Sequence, residues 1–419
     1  MQNNSTEENQ IKPNIYHILF DGFHSLVFLN ALKTLNAINA FNGFTFFEKN
    51  RANYDDTFAS FPSSRSGSFY EKGPFKHWID IQDNPGIFSQ LKKHGYELNQ
   101  YTDNRNFIFN NTSLLKLNID QLNHYKPATS HTSKALKRYD HIVKYQLTER
   151  IGKGTRLALS KFIKPFNIWL KNNNGYPSFP MDRFFLSDFV LSLPLMLEFI
   201  NNEQDVPASG QYNFAHIMLP HSPFNWTRSF TASDSSYMEQ VYCSMNLMIL
   251  LINELKRIDR FKNSLIVFHA DHGWSDVEFD YPYTADIPKS IFEILKNKIN
   301  YTPFRFLHRS HALLLIKPPG SGEDKAFEVS DKLTQLADVP ATISHLLSWN
   351  IKTPHGVPIF SGQWDFNRDL HMFAGLHRYN RLGLKCDFGT HFLKGRLAHV
   401  SINPENGWKH YPDLPISWD

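Results

Sequence analysis

The sequence predicts an α/β fold, in which a central and mostly parallel β-sheet carries helices on both faces and a small antiparallel piece follows at the C-terminus. Short apolar runs rich in β-branched and aromatic residues alternate along the chain with longer segments whose apolar residues recur three and four positions apart. Polar turns, several with Gly or Pro, close the apolar runs. After about Phe360 the pattern changes to short segments punctuated by Trp, Tyr and Gly.

The predicted elements follow one another as strand and helix. The first strand lies within 14–23 and stops at Asp21-Gly22, where a helical pattern begins and continues to about residue 38. The helix predicted over 86–102 ends at Gly95 and gives way to a strand. The other predicted elements are a strand and loop in 44–56, strands in 212–224, 263–273 and 309–320, a long helix over 235–258 and a helix over 329–349.

The length of 419 residues suits one large α/β domain with an appendage. We expect a flexible leader at 1–12, a catalytic domain at 13–360 and a small C-terminal subdomain at 361–419. Residues 103–180 are polar and poorly periodic, and they are expected to form an insertion that shapes the substrate side of the larger domain.

Bulk composition excludes several classes of protein. A formal net charge of +4 and the lack of a known nucleic-acid motif argue against nucleic acid as a partner. Two cysteines without a CxxC spacing exclude a zinc ribbon. No signal peptide or membrane-spanning segment is predicted, because the most apolar stretch, 184–200, contains Asp188, Pro194 and Glu198. The expected location is therefore cytoplasmic by default, with association with the inner membrane as an alternative.

Aromatic residues make up 15% of the chain, and the favoured interpretation of this high content is that they line the core and a cleft. The alternative is an apolar groove for a lipid or a large partner. The segment from His371 to His399 is locally basic, which favours a solvated face over a contact with an anionic lipid or glycan.

Polar residues follow three of the predicted strands at the point where each strand ends. Asp21 follows the first strand, His221 follows the strand in 212–224, and Asp271-His272 follow the strand in 263–273. In sheets of this kind ligands gather outside the carboxyl ends of the strands. Any one of these residues alone is more often a capping Asp or a hydrogen-bonded His. Together, Asp21, Asp271 and His272 form a set that could bind a divalent metal.

A run of hydroxyl residues, NYDDTFASFPSSRSG at 53–67, precedes a predicted helix. A capping run is the simpler interpretation. The functional alternative is a nucleophile at the helix N-terminus, where the exposed N–H groups stabilise an alkoxide and a bound phosphate. A threonine hydroxyl is a weak nucleophile until a metal lowers its pKa.

In order and spacing, these motifs resemble the alkaline phosphatase/sulfatase superfamily. The motifs are Asp21 after a first strand, T-x-x-S-x-P-S-x-x-S-G at 57–67, LPHSPF at 219–224 and ADHG at 270–273. The segments NIYHILFDGFHS, NYDDTFAS and DVPATISHLL are similar to those of bacterial sulfatase-like hydrolases and transferases, which include phosphoethanolamine transferases and lipoteichoic acid synthase. The resemblance implies an alkaline-phosphatase-like sheet over about residues 14–360.

The resemblance also implies residue roles. Asp21, Thr57, Asp271 and His272 match metal ligands, and Thr57 matches the nucleophile that becomes phosphorylated. His221 matches a histidine that contacts the transferred group or helps the leaving group. His311 matches a late histidine of the family, with His308 as the alternative for the same role. The implied cofactor is one divalent metal, zinc or manganese, with magnesium or calcium as further options.

The nucleophile decides which chemistry is favoured. Formylglycine sulfatases need Cys or Ser in C/S-x-P-S-R, and here Ser64 intervenes between Ser60-Phe61-Pro62-Ser63 and Arg65. This departure favours Thr57 and phosphoryl transfer, with Ser60 as the second choice. The expected partners are a phosphorylated lipid or glycan donor and a sugar acceptor, with a peripheral membrane contact as a further expectation.

The favoured activity is transfer of a phosphoethanolamine- or phosphoglycerol-like group onto a cell-envelope glycan or glycolipid such as lipopolysaccharide. A phosphodiesterase or sulfatase of the same fold is the first alternative, because water and a sugar hydroxyl compete for one intermediate. A non-catalytic binding module that retains the fold is the second alternative.

Overall fold

The protein is described by a computed structural model over residues 12–73, 87–101, most of 192–231, 235–275, 288–298, 303–374 apart from 350, 352 and 363, and 395–416. The predicted insertion at 103–180 lies outside these ranges, as does the predicted leader up to residue 11. In the described part of the chain, no helix is both long enough and apolar enough to cross a membrane.

The central sheet has seven strands in the order β3-β4-β1-β5-β6-β2-β7. All neighbouring pairs are parallel except those that β6 makes with β5 and β2, so β6 alone runs against the other six. The predicted mostly parallel sheet is confirmed. The strands are β1 (Ile15–Phe20), β2 (Thr45–Phe47), β3 (Glu97–Tyr101), β4 (Gln211–Ile217), β5 (Leu265–His269), β6 (Leu314–Lys317) and β7 (Glu328–Ser330).

Helices cover both faces of this sheet because the strands are apolar on both sides. Phe20 on β1 and Phe268 on β5 belong to one core with the helix that begins at Ser25 and the helix that begins at Tyr237. Leu19 and Val267, which point to the other face, belong to a second core. The helices are α1 (Ser25–Thr34), α2 (Thr57–Ser66), α3 (Ile87–Lys93), α4 (Tyr237–Arg257), α5 (Lys289–Lys298), α6 (Pro303–Ser310) and α7 (Asp338–Leu346).

The C-terminal antiparallel piece is also confirmed. It is a separate three-stranded sheet in the order β10-β9-β8. Phe373 of this sheet stacks on Tyr54, at 4.9 Å between ring centroids, and so connects the sheet to the segment that leads into α2. The strands are β8 (Leu370–Ala374), β9 (Gly395–Asn403) and β10 (Gly407–Ile416).

Two predicted elements are wrong in extent. The strand predicted in 309–320 is restricted to β6, because residues 303–310 form the amphipathic helix α6. The helix predicted over 329–349 is restricted to α7, and residues 328–330 form β7 at the edge of the sheet. Strand pairing with β2 determines this outcome, since local propensity is a weaker preference than tertiary hydrogen bonding.

Candidate metal centre and catalytic site

Three of the predicted metal ligands, Asp21, Asp271 and His272, lie at the carboxyl ends of two adjacent strands, β1 and β5. Asp21 directly follows β1, and Asp271 and His272 follow β5 after one residue. The two ends are joined because the backbone N–H groups of Gly22 and His272 donate to Asp271 Oδ1 at 3.1 and 2.9 Å. Parallel pairing thus brings residues 250 positions apart to one point.

The turn after Asp21 depends on glycine. Gly22 has a φ of +69°, and a Cβ there would lie 3.3 Å from Cε3 of Trp274. Glycine is favoured here because it adopts a positive φ without strain and has no Cβ that would press against the Trp274 ring. The turn therefore holds Asp21 close to the segment that carries His272.

One ligand atom from each of Asp21, His221 and His272 lies within 4.8 Å of the others. His272 Nε2 is 3.8 Å from Asp21 Oδ1 and 3.4 Å from Asp271 Oδ2. Both of these carboxylate oxygens are buried and accept no hydrogen bond from the described residues. Buried carboxylate oxygens are costly unless they are paired or bind a cation. Two such oxygens and an imidazole form a donor set that fits a divalent metal ion.

The two histidines present a lone pair from the same ring nitrogen. His272 Nδ1 lies 2.8 Å from the carbonyl oxygen of Gly273, and His221 Nδ1 lies 2.6 Å from that of Ser222. A carbonyl oxygen only accepts, so each Nδ1 carries the proton and each neutral ring has its lone pair at Nε2. Burial, above all, lowers the pKa of both rings, and the charge of Arg309 lowers it further. Neutral rings of this tautomer suit metal ligation.

Thr57 begins α2, and its hydroxyl faces this centre. Its Oγ1 lies 3.4 Å from Asp21 Oδ2 and 3.5 Å from His272 Nε2, and the side chain is half-buried. The structure therefore brings together Thr57, the predicted nucleophile, with Asp21 and His272. Ser60, the second choice, lies elsewhere, since its buried hydroxyl donates to the carbonyl of Tyr54 at 3.0 Å.

The pKa values of the two aspartates are shifted in opposite directions. Burial opposes ionisation of Asp21, but His221, His216 and His272 together hold its pKa well below the usual range. Burial and the negative charge of Asp21 raise the pKa of Asp271 well above that range. Two buried carboxylates at one point repel each other, and a cation between them would relieve the repulsion.

Sequence reasoning missed two polar residues at this centre. His216 is fully buried within β4, and its Nε2 lies 3.3 Å from Asp21 Oδ2. A polar residue inside the apolar run YNFAHIM was the available signal, because parallel register with Leu19 puts it on the Asp21 face of the sheet. Arg309, at the end of α6, lies 2.9 Å from His272 Nε2 through a terminal guanidinium nitrogen.

The structure places His308 and His311 in a neighbouring cluster with His24. His308 Nδ1 lies 3.3 Å from His24 Nε2, and the His311 ring stacks on the His24 ring at 5.6 Å between centroids. Burial and the charge of Arg51 lower the pKa of His24 and of His311. Their connection to the metal centre runs through Gly273, whose N–H donates to the carbonyl of Arg309 at 2.6 Å.

A Gly273→Ala change is expected to destabilise the protein and to weaken metal binding. A Cβ at this position would lie 2.2 Å from the carbonyl oxygen of His308 and 2.5 Å from that of His311. Overpacking of this kind costs about 1–3 kcal/mol, and the strain falls on the residue next to His272. Thermal unfolding and metal titration measure the two effects. Gly362→Ala is the control, because nothing lies within 4 Å of its Cβ position. Equal melting temperatures for the two variants would contradict this account.

Comparisons with known proteins identify the fold. The sequence matches no protein-family model and no curated protein. Among solved structures, a protein in the alkaline phosphatase superfamily from Vibrio parahaemolyticus is similar, with 12% identity, 98% of this chain and 83% of that chain covered, and a TM-score of 0.50. Ps i-CgsB, in complex with k-i-k-neocarrahexaose, has 12% identity, 96% and 86% coverage and a TM-score of 0.52. The lipoteichoic acid synthase LtaP from Listeria monocytogenes has 12% identity, 98% and 87% coverage and a TM-score of 0.45.

The chain therefore has the alkaline-phosphatase-like α/β fold, as the motifs predicted. At these identities the comparisons establish the fold alone, because one fold supports several chemistries.

Proposed function

We propose that the protein is a metal-dependent phosphotransferase that uses Thr57 as its nucleophile. The observation that carries the proposal is the position of Thr57 Oγ1, 3.4 Å from Asp21 Oδ2 and 3.5 Å from His272 Nε2, at the N-terminus of α2. A hydroxyl among two carboxylates and a neutral imidazole is placed where its proton can be lost and its negative charge stabilised.

Asp21, Asp271 and His272 would hold the metal ion, with Thr57 beside it and the lone pair of His221 left for proton transfer. The carboxylate oxygens Asp21 Oδ1 and Asp271 Oδ2, which are buried and accept no hydrogen bond from the described residues, fit this role. When bound, a divalent metal would supply Lewis-acid stabilisation of the negative charge on the Thr57 oxygen and on the transferred group. Zinc and manganese both suit this mixture of oxygen and nitrogen donors.

In the first half of the reaction, Thr57 Oγ1 forms a bond to the phosphorus of a phosphodiester. The ester bond from phosphorus to the leaving alkoxide breaks, and the proton of Thr57 finally resides on that alkoxide. The N-terminus of α2 supports the phosphoryl oxygens, since helix N-termini bind anions. The half-buried His221 can carry the proton, because its Nε2 holds a lone pair at neutral pH.

In the second half, an acceptor hydroxyl attacks the phosphothreonine. The new ester bond forms, the bond between phosphorus and Thr57 Oγ1 breaks, and the proton of the acceptor returns to Thr57. A sugar hydroxyl as acceptor gives transfer, and water gives hydrolysis. We propose a phosphoethanolamine- or phosphoglycerol-like group as the cargo and a cell-envelope glycan or glycolipid as the acceptor, with a lipid- or glycan-linked phosphodiester as the donor.

Two observations favour phosphoryl transfer over sulfate ester hydrolysis. Ser60 holds the position nearest to a formylglycine precursor in the sequence, and its hydroxyl is buried against the carbonyl of Tyr54. Thr57, which cannot be converted to formylglycine, holds the position beside Asp21. A threonine ester with a phosphoryl group is the intermediate that this arrangement supports.

The test compares two substrates, a phosphodiester and a sulfate ester, in protein that has been stripped of metal and then reloaded with zinc or manganese. We expect turnover of bis-p-nitrophenyl phosphate, no turnover of p-nitrophenyl sulfate, and no activity in the stripped protein. Addition of a sugar acceptor should convert part of the hydrolysis into transfer, detected by mass spectrometry of the products. Sulfate release without phosphoryl chemistry would replace this proposal with a sulfatase. A protein with no measurable affinity for either metal would favour a non-catalytic binding module.

A further inference from the structure

Arg309 contacts the His272 nitrogen that a metal ion would also bind. A terminal guanidinium nitrogen of Arg309 lies 2.9 Å from His272 Nε2. The Nδ1–H of His272 donates to the carbonyl of Gly273 at 2.8 Å, so Nε2 holds the single lone pair of the neutral ring. That lone pair can accept a hydrogen bond from Arg309 or bind a cation, but it cannot do both.

The rest of the Arg309 side chain is held in place independently. Its Nε–H donates to the carbonyl of Asp55 at 2.7 Å, two residues before Thr57. No carboxylate among the described residues forms an ion pair with this guanidinium. Arg309 is therefore a half-buried cation without a carboxylate partner in the described part of the chain, and it contacts His272 Nε2, the same atom that lies 3.5 Å from the Thr57 hydroxyl.

The topology of the sheet explains why this arginine reaches the centre. β6 runs antiparallel to β5, so its N-terminal end lies at the same edge as the carboxyl ends of β1, β4 and β5. α6 ends at Ser310, shortly before β6, and so delivers Arg309 to that edge. The contacts from Arg309 to Asp55 and to His272 connect the beginning of α2 with the end of β5.

We infer that Arg309 binds a non-bridging oxygen of the transferred oxyanion, and that it exchanges His272 for this oxygen when the metal enters. The inference rests on the proposed function, because it supplies the residue that holds the phosphoryl group at Thr57. With Nε anchored on Asp55, only the terminal N–H groups need a new acceptor. Guanidinium N–H groups bind phosphate and sulfate oxygens with strong, charge-assisted hydrogen bonds. The ligand class is a tetrahedral oxyanion, as the free ion or as an ester.

Arg309→Met tests both halves of the exchange without reliance on turnover. Metal titration by calorimetry of the stripped protein should give about three- to tenfold tighter zinc or manganese binding, because a competing cation has gone. Inorganic phosphate titrated into the metal-loaded variant should bind on the order of 10- to 100-fold more weakly than to the wild type, which corresponds to one lost charge-assisted hydrogen bond. Arg309→Lys keeps the positive charge but loses the planar guanidinium with its several N–H donors. Its phosphate affinity should therefore lie between those of the wild type and Arg309→Met.

Arg305→Met is the matched control, since Arg305 is exposed on the same helix and its loss changes the net charge equally. Both affinities should stay within about twofold of the wild type in this control, since exposed charges contribute little. Phosphate affinity in Arg309→Met equal to that in Arg305→Met would overturn the anion-binding role. Weaker metal binding in Arg309→Met would overturn the competition. Wild-type protein that binds no metal, or no phosphate when loaded, would overturn the inference as a whole.

The two proposals fail in different ways. Metal-dependent phosphate binding that requires Arg309, without turnover of any phosphodiester, would leave the Arg309 inference standing and remove the transferase. Normal turnover with unchanged phosphate affinity in Arg309→Met would leave the transferase standing and remove the Arg309 inference. If Arg309→Met does not fold, circular dichroism will reveal it. The metal titration and the phosphate titration of Arg309→Lys then test the inference.

Discussion

Replacing Thr57 with alanine is expected to reduce turnover of a phosphodiester by at least about 10³-fold while the protein still binds one metal ion. The hydroxyl is the nucleophile in the proposed reaction, and its Oγ1 lies 3.4 Å from Asp21 Oδ2. Metal binding should persist because the carboxylates of Asp21 and Asp271 and the neutral imidazole of His272 remain. Initial rates and metal content of the purified variant are the measurements.

Ser60→Ala is the matched control for Thr57→Ala. It removes a hydroxyl from the same helix, one turn further on, where Ser60 donates to the carbonyl of Tyr54 at 3.0 Å. We expect a loss of stability of about 1 kcal/mol and unchanged turnover. Thr57→Ser should retain part of the activity and should trap a phosphoserine that mass spectrometry can locate. If Thr57→Ala keeps wild-type turnover, or Ser60→Ala is the inactive variant, the nucleophile has been assigned wrongly.

The sequence predicted the part of the site that lies directly at strand ends. Asp21 and Asp271 each follow an apolar run, and parallel pairing of the two strands places both residues at the carboxyl edge of the sheet. His221 was identified in the same way, although its place within 4.8 Å of the Asp21 and His272 ligand atoms also makes it a candidate metal ligand. The hydroxyl-rich run at 53–67 was predicted to precede a helix, and this is wrong, because the run itself forms the helix from Thr57 to Ser66.

Other parts of the site depend on tertiary structure that periodicity does not encode. Arg309 lies in a segment predicted as strand, and a strand would not have placed it beside His272. His216 lies in the middle of a strand, where a single polar residue is usually satisfied within the core. Its partner, Asp21, is 195 positions away and becomes its neighbour only through the pairing of β1 with β4. The predicted roles of His308 and His311 rest on the resemblance alone.

Asp271→Asn is expected to weaken metal binding and to increase the stability of the metal-free protein. The asparagine carbonyl can still accept from the N–H groups of Gly22 and His272, now at 3.1 and 2.9 Å, so the local backbone should be kept. The variant loses one anionic ligand. Mutation of residues that only hydrogen-bond to a metal ligand lowers metal affinity about 10- to 100-fold, and loss of a ligand itself should lower it further. Turnover should fall with it at limiting metal.

Without metal, Asp271→Asn should be more stable than the wild type, because it removes a carboxyl whose pKa is raised by burial and by the negative charge of Asp21. A carboxyl whose pKa is higher in the folded state binds its proton more tightly there, so the contribution of Asp271 to the stability of the stripped wild type is lost as pH rises from the ordinary aspartate range towards the raised pKa. Asp271→Asn should lack this loss, so its stability relative to the stripped wild type should increase as pH rises over that range. Thermal unfolding in the presence of a chelator, from pH 4 upward, measures both curves. Parallel pH profiles, or a stripped variant less stable than the stripped wild type, would mean that Asp271 is already paired in the folded protein. A cation would then not be needed to explain the two aspartates that meet at this edge of the sheet.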